Sequence, residues 1–262
     1  MRVLLVDVGN SHTRLALWEG RPAGGAPLPP AGRFERLSAV ATPHDVAGRE
    51  ALATRLAESA RDAGCFGAVL VSVVPDCDAA LLAALPPLIR IDHRLPLPFT
   101  NGVADPAAVG ADRYANVAAA VARGWQAGLI VDAGTATTID LLLAGVFAGG
   151  LIVPGMALAA ERLAHEAARL SPVPFEACPL EVGRTTADAM RAGAFHAGVL
   201  GIVGVVEALR EKFGPLPVAV TGGLGVHLQR PGWLFDRDWT LRGALVLAWP
   251  RLRPRDASDT SP

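Results

Sequence analysis

The sequence predicts an α/β protein built as two similar halves, each a mixed sheet flanked by helices. Two observations carry this reading. The first is an internal repeat. Residues 5–17 read LVDVGNSHTRLAL and residues 129–142 read LIVDAGTATTIDLL. Val6, Asp7, Gly9, Thr13 and Leu17 meet Val131, Asp132, Gly134, Thr138 and Leu142 at a constant offset of 125 residues. Each copy is an apolar run ending in an aspartate, then a glycine with small or hydroxylic residues, then a second β-rich run. That is the pattern of strand, tight turn, strand. The second observation is that in each half strands come first, followed by helices alternating with strands. A repeat of about half the chain implies two similar half-molecules facing each other.

Taken in order, residues 2–8 and 12–18 form the first hairpin. Residues 20–32 are rich in glycine and proline and read as a loop. Residues 33–40 are a third strand, and 44–63 a helix with Ala53, Leu56, Ala57 and Ala60 on its apolar face. The apolar run Ala68–Val74 is a buried strand stopped by Pro75. A short helix at 77–85 and a strand near 88–91 complete this half. Residues 92–110 are irregular and deliver Gly110-Ala111-Asp112-Arg113 to a helix reaching about residue 123. Asp112 there reads either as a plain helix cap or as a functional group.

The second half restarts with the 129–142 hairpin and a strand at 146–153. Pro154–Gly155 opens a helix with Met156, Ala159, Ala160, Leu163, Ala167 and Leu170 facing inward. Gly183-Arg184-Thr185-Thr186 leads into helical sequence as far as Phe213. Its part from Ala187 to Val206 is rich in alanine and glycine, which suits close helix packing within the subunit or across a dimer. A strand at 217–221 ends in Thr221-Gly222-Gly223, a further candidate for close approach to a ligand, and a last helix spans about 240–248. The expected division is 1–115, 116–249 and a mobile tail, 250–262.

Composition narrows the function. The chain has 262 residues and half of them are hydrophobic, ample for a core. A net charge of −1 argues against a general nucleic-acid or membrane-surface binder. Lys212 is the only lysine, so a Walker-type phosphate loop is excluded and a Schiff-base lysine is disfavoured. Cys65, Cys77 and Cys178 form no CxxC and read as free thiols of a reducing cytosol. The histidines show no zinc spacing. The amino terminus enters a strand directly, without a secretory leader. Residues 141–160 carry no charge and have bilayer length, but Gly149–Gly150 and Pro154–Gly155 break them into strands and a helix start.

The repeated turn has its own chemistry. Glycine admits a ligand close to the backbone, and successive N–H groups of a turn make a concavity for anions. Ser11, Thr13, Thr135 and Thr137 add hydroxyls. A carboxylate in such a nest repels phosphate unless a cation lies between, so Asp7 and Asp132 point to phosphate together with a metal, the alternative being a pair of plain Asx-type hairpin turns.

With these pieces placed, the sequence resembles the type III pantothenate kinases of the acetate and sugar kinase, Hsp70 and actin superfamily. The matching pieces are DVGNSHTR at 7–14, GADR at 110–113, DAGTATT at 132–138, GGLIVPG at 149–155, GRTT and AMRAG within 183–193, and TGG at 221–223. In this order they cover about residues 1–248. The resemblance implies duplicated ribonuclease-H-like, actin-like ATPase domains with ATP between them. It implies that the loop Asp7, Val8, Gly9, Asn10, Ser11, His12, Thr13, Arg14 holds ATP phosphates, with Thr135 a further ATP contact and Thr221–Gly223 near the nucleoside. It makes Asp112 the general base and Gly110, Ala111, Asp112 and Arg113 the pantothenate loop. Asp132 becomes the ligand of a monovalent cation, potassium or ammonium, and magnesium the divalent partner of ATP. The resemblance also implies that Thr186 reaches pantothenate from the partner subunit of a homodimer, and charge and cysteine usage lead us to expect a cytoplasmic protein with no nucleic-acid or membrane partner.

Departures from the family pattern are Arg14 for lysine, Ser11 for threonine and Thr185 for asparagine. Val103 stands at a usual tyrosine position, with Phe99 a substitute aromatic wall. Two alternatives remain at this stage, another small-molecule kinase of the superfamily and a non-catalytic accessory regulator of transcription. Retention of Asp7, Asp112 and Asp132 together favours catalysis.

Overall fold

The computed structural model describes residues 1–21, 28–29, 31–85 and 87–252. The chain divides into two compact units, Met1–Gly124 joined by the chain from Asp238 onward, and Trp125–Arg237.

In the first unit, β1 (Arg2–Val8), β2 (His12–Glu19) and β3 (Arg33–Ala41) form an antiparallel meander. Helix α1 (Val46–Asp62) follows, then β4 (Gly67–Ser72), α2 (Pro75–Ala84) and β5 (Leu88–Arg90). The sheet order is β3-β2-β1-β4-β5, with β4 and β5 parallel to β1. Asp45 caps α1, its carboxylate accepting the Gly48 N–H at 2.7 Å. Alternation along β1 sends Leu4, Val6 and Val8 to a cluster with Leu52, Leu56 and Ala60 of α1 and Leu81 of α2. Val3, Leu5 and Asp7 therefore face the other side of the sheet. A short strand β6 (Thr100–Asn101), a 3-10 turn (Pro106–Ala108) and helix α3 (Ala111–Ala122) continue the unit. Helix α6 (Trp239–Leu252) completes it. The face opposite α1 and α2 is covered by α6, since Trp18, cross-strand from Val3, meets Trp249 edge-on at 5.4 Å. Helices α3 and α6 cross closely at Gly243, where a side chain would run into the Ala115 backbone.

The second unit repeats the plan. Strands β7 (Gly128–Ala133), β8 (Ala136–Leu143) and β9 (Val146–Pro154) form the meander. They are followed by α4 (Met156–Glu166), α5 (Thr186–Phe213), β10 (Val218–Thr221) and β11 (Trp233–Phe235). Among the strands of this unit the order β9-β8-β7-β10-β11 reproduces that of the first sheet, again with the last two strands parallel to the first. Leu129, Val131, Ile139 and Val220 pack with Met156 of α4 and with Phe195, Val199, Ile202 and Val206 of α5. Asp132, like Asp7, lies on the opposite face.

Several expectations change. The division expected at 115/116 falls inside α3, which is one buried helix of the first unit packed on α6. Helix α6 also runs past the expected tail boundary to Leu252, itself buried, while residues 253–262 lie outside the described residues, as does most of the expected 20–32 loop. Helix α4 ends at Glu166 and buries Met156, Ala160 and Ala164, an i, i+4 stripe. Ala159 and Leu163, expected to face inward, are exposed. β6, β11 and the 3-10 turn at Pro106–Ala108 were not foreseen. The charge-free stretch 141–160 is strand, strand and helix start. Helix α5, with 28 residues, is the one described helix long and apolar enough to cross a bilayer, and its inner stripe packs in the core of its unit. All three cysteines are free thiols.

Candidate active site

The first turn sits at the tip of β1 and β2. Asp7 is buried and lies opposite Arg14, whose guanidinium reaches its carboxylate at 3.5 Å. Val8 is buried, while Asn10, Ser11 and His12 are exposed at the tip. The Gly9 N–H donates to the His12 carbonyl at 3.0 Å and closes the turn. Thr13 is fully buried, and its hydroxyl meets that of Thr42 at 3.0 Å. Its part in the loop is thus internal, unlike the exposed residues before it.

The second turn is one residue shorter, because the Gly134 N–H donates to the Ala136 carbonyl, two residues on. The shift matters for the repeat. Asp132 lies opposite Thr138, but Asp7 lies opposite Arg14 rather than Thr13. A one-residue change of register turns a side chain to the other face of the sheet. Thr138 therefore shares a face with Asp132, whereas Thr13 points away from Asp7. On its other side Asp132 is in register with Thr221 of β10. A carboxylate thus stands between two threonines. The Thr138 hydroxyl is buried and unpartnered. That donor set is all oxygen and suits a hard cation, which the unpartnered Thr138 oxygen could help to hold. Among the described residues no cluster of three or more histidine, cysteine or acidic side chains offers a metal cage. A cation at Asp132 would draw its other ligands from hydroxyls, carbonyls, water or phosphate.

Two glycines shape this turn. Gly155 donates its N–H to the Thr135 carbonyl at 3.1 Å and has no room for a Cβ against Gly134 and Thr135. Gly222, at φ +89, lies against the Ala133 backbone, and the next turn closes with Leu224 N–H on the Ala133 carbonyl at 3.1 Å. Thr221-Gly222 thus borders the Asp132 turn. Thr135 is exposed.

Asp112 occupies the first turn of α3, and the cap residue is Gly110. The Asp112 carboxylate accepts the Arg113 N–H at 2.8 Å, and the helix N-terminus stabilises its charge. A Cβ on Gly110 would collide with that carboxylate and touch Val73 at 3.5 Å. Val73 in turn donates its N–H to the Val8 carbonyl at 3.1 Å. The start of α3 is therefore tied to the end of β1, and the structure brings Asp112 to the edge of the unit that carries the Asp7 turn. Ala111 is buried, and Asp112 and Arg113 are half-buried. Beneath them Tyr114 is fully buried, its hydroxyl donating to the Pro106 carbonyl at 2.9 Å and accepting from Asn101 at 2.8 Å. Burial raises the Tyr114 pKa and keeps the phenol neutral. Phe99, expected as the substitute aromatic wall, is buried and stacks on Tyr114 at 6.4 Å. It serves the scaffold under the loop.

Thr186 belongs to the second unit. Thr185 caps α5, its hydroxyl accepting the Asp188 N–H at 3.1 Å and donating to the Asp188 carboxylate at 2.7 Å. Helix α5 passes the start of α4 at Gly198, where a Cβ would meet Met156 at 3.1 Å. Twelve residues separate Thr186 from Gly198, about 18 Å of helix. Thr186 is exposed, next to a shallow apolar groove of about 500 Å³ lined by Leu180, Val182, Gly193, Ala197 and Leu200. The Thr42 bonds to the first turn and the pairing of Thr138 with Asp132 were not part of the sequence reading. Neither has a local signal, because both depend on strand pairing.

Comparison with known proteins fits this geometry. Residues 3–209 match the family model described as type III pantothenate kinase. The type III pantothenate kinase of Syntrophotalea carbinolica is 34% identical over 94% of this chain and 97% of its own length. That of Anaeromyxobacter dehalogenans is 33% identical over 94% and 98%. Among solved structures, the ROK hexokinase of Thermus thermophilus superposes with a TM-score of 0.51 at 17% identity, covering 96% of this chain and 100% of the other. That likeness is one of fold, the two-domain architecture of actin-like ATPases. The chain belongs to the type III pantothenate kinase family.

Proposed function

We propose that the residues assembled above phosphorylate pantothenate at the expense of ATP, with Asp112 as the catalytic base. The chain is a type III pantothenate kinase, making 4'-phosphopantothenate in the first step of coenzyme A biosynthesis. The observation that carries the assignment of roles is Asp112. Its carboxylate is fixed at a helix start that packs, through Gly110 and Val73, against the strand bearing the Asp7 turn.

In the proposed reaction the exposed tip Asn10–His12 receives the ATP phosphates on backbone N–H groups, and Arg14 keeps the Asp7 charge compensated. Thr135 supplies a further ATP contact. The primary hydroxyl of pantothenate attacks the γ-phosphorus in line. The new O–P bond forms as the bond to the β-phosphate oxygen breaks, and ADP leaves. Asp112 accepts the hydroxyl proton as that bond forms and later releases it to water. Gly110, Ala111 and Arg113 orient pantothenate, Arg113 by charge-assisted hydrogen bonding to its anionic end. Asp132 with Thr138 would hold a monovalent cation, and magnesium would accompany ATP. Bound cations supply neutralisation of phosphate charge.

We further propose a cytoplasmic homodimer that shares its sites. The inner stripe of α5 is used in its own unit, but Gly193, Ala197, Leu200, Gly201 and Gly204 are exposed on the outer face. Leu180 and Val182 beside them are 73% and 96% exposed. A second copy packed on these small residues would cover them and bring Thr186 to its partner's Asp112 loop.

The direct test is ATP consumption by the purified chain with pantothenate, with common sugars, and with no acceptor. Turnover with pantothenate alone supports the reading. Turnover with a sugar would move the chain to the sugar kinases. No turnover with any acceptor would favour a non-catalytic regulator.

A further inference from the structure

We infer that Thr42, which lies outside every motif of the sequence, is the positioning residue that aims the N–H groups of the Asp7–Arg14 loop at phosphate. The inference rests on the reading of that loop as the phosphate site.

Thr42 directly follows β3 and is buried. It grips the turn at three points. Its backbone N–H donates to the Ser11 carbonyl at 3.0 Å. Its hydroxyl donates to the Gly9 carbonyl at 2.7 Å. The same oxygen meets the Thr13 hydroxyl at 3.0 Å. Because the one proton of the Thr42 hydroxyl goes to Gly9, Thr13 must be the donor to Thr42. The relay therefore has a fixed direction, from Thr13 through Thr42 to the Gly9 carbonyl.

Peptide geometry converts these bonds into aim. In a trans peptide the C=O and the following N–H point in opposite directions. Holding the Gly9 carbonyl on Thr42 turns the Asn10 N–H away from Thr42. Holding the Ser11 carbonyl does the same to the His12 N–H. Two donors in an exposed tip are thus both turned to the side away from β3, where an anion could meet them.

The second unit offers a comparison. Its residue after the third strand is Gly155, whose N–H donates to the Thr135 carbonyl. Thr135 precedes β8 as Ser11 precedes β2, so the backbone brace is duplicated. The hydroxyl grip on the glycine carbonyl belongs to the first turn. A brace needed only to hold the hairpin would have been met by the backbone bond alone, as in the second turn.

The test compares Thr42→Val, which keeps the shape and removes the hydroxyl, with Thr42→Ser, which keeps the hydroxyl. Thr42→Ala reads the same contrast if the valine variant folds poorly. Thr42→Val should raise KM for ATP by about 10- to 100-fold, the scale of a misplaced contact. KM for pantothenate should stay within about twofold, and Thr42→Ser should recover most of the loss. Amide resonances of Asn10 and His12 in the wild-type chain should shift on adding magnesium-ATP, and this response should be lost in Thr42→Val. An unchanged KM for ATP, equal effects on both substrates, or retained amide shifts in Thr42→Val would overturn the inference. If the wild-type amides ignore magnesium-ATP, the reading of the loop as the phosphate site fails instead, and the inference with it.

Discussion

Replacing Gly155 with alanine should disable the enzyme without touching a reacting group. The backbone at Gly155 has φ −61 and ψ 146, which alanine adopts freely. The obstacle is space. A Cβ there would lie 2.5 Å from the Gly134 oxygen and closer still to that of Thr135. Carbon meets a carbonyl oxygen comfortably at about 3.3–3.6 Å. The turn carrying Asp132 and Thr135 would have to retreat by about 1 Å, giving up the Gly155–Thr135 hydrogen bond. A displacement of that size costs about 10² in kcat/KM, and the overpacking about 1–3 kcal/mol of stability. Steady-state kinetics at saturating pantothenate and varied ATP, with a urea unfolding curve, read both quantities. A Gly155→Ala variant with kinetics within about twofold of wild type would refute the claim that this turn is held in place by contact with Gly155.

Activity should rise with potassium or ammonium over sodium, and Asp132→Ala should abolish that dependence along with most turnover. A wild-type enzyme indifferent to the monovalent salt would sink the cation assignment. Asp112→Asn and Thr186→Arg chains, each nearly inactive alone, should regain part of the activity when mixed and allowed to exchange subunits. A monomer in sedimentation, or no regain despite exchange, would defeat the shared site. Gly243→Ala should cost about 1–3 kcal/mol by forcing α6 off the Ala115 backbone of α3, and unchanged stability would mean that the two helices are not in close contact there.

The hairpins and the order of the elements were legible because each turn is announced by a glycine between apolar runs of strand length. The repeat announced two similar halves, and the strands of each unit do follow one order. It misled at the return strands. A turn shorter by one residue leaves Thr13 and Thr138 aligned in sequence but on opposite faces, and no local pattern reports that shift. The boundary near residue 115 was illegible for a related reason. The alanine-rich sequence of α3 predicts a helix but not the element it packs on, and Gly243, which marks the α6 contact, lies more than a hundred residues away. Helix α4 was assigned too wide an apolar face, since periodicity cannot tell a buried leucine from Leu163 at the surface. Of the proposed site, Asp7, Asp112 and Asp132 are visible through their motifs. The role inferred for Thr42 is not, because its bonds to the turn form only when β3 pairs with β2.

The central claim, that Asp112 removes the proton from the attacking hydroxyl, is met most directly by the turnover of Asp112→Asn. Asparagine keeps the shape at the first turn of α3 and cannot take the proton. The account predicts a kcat lower by roughly 10²–10⁴-fold, with the fold intact and ATP bound as in the wild type. A folded Asp112→Asn enzyme that phosphorylates pantothenate at near-normal rate would contradict it and leave Asp112 as an ornament of the helix start.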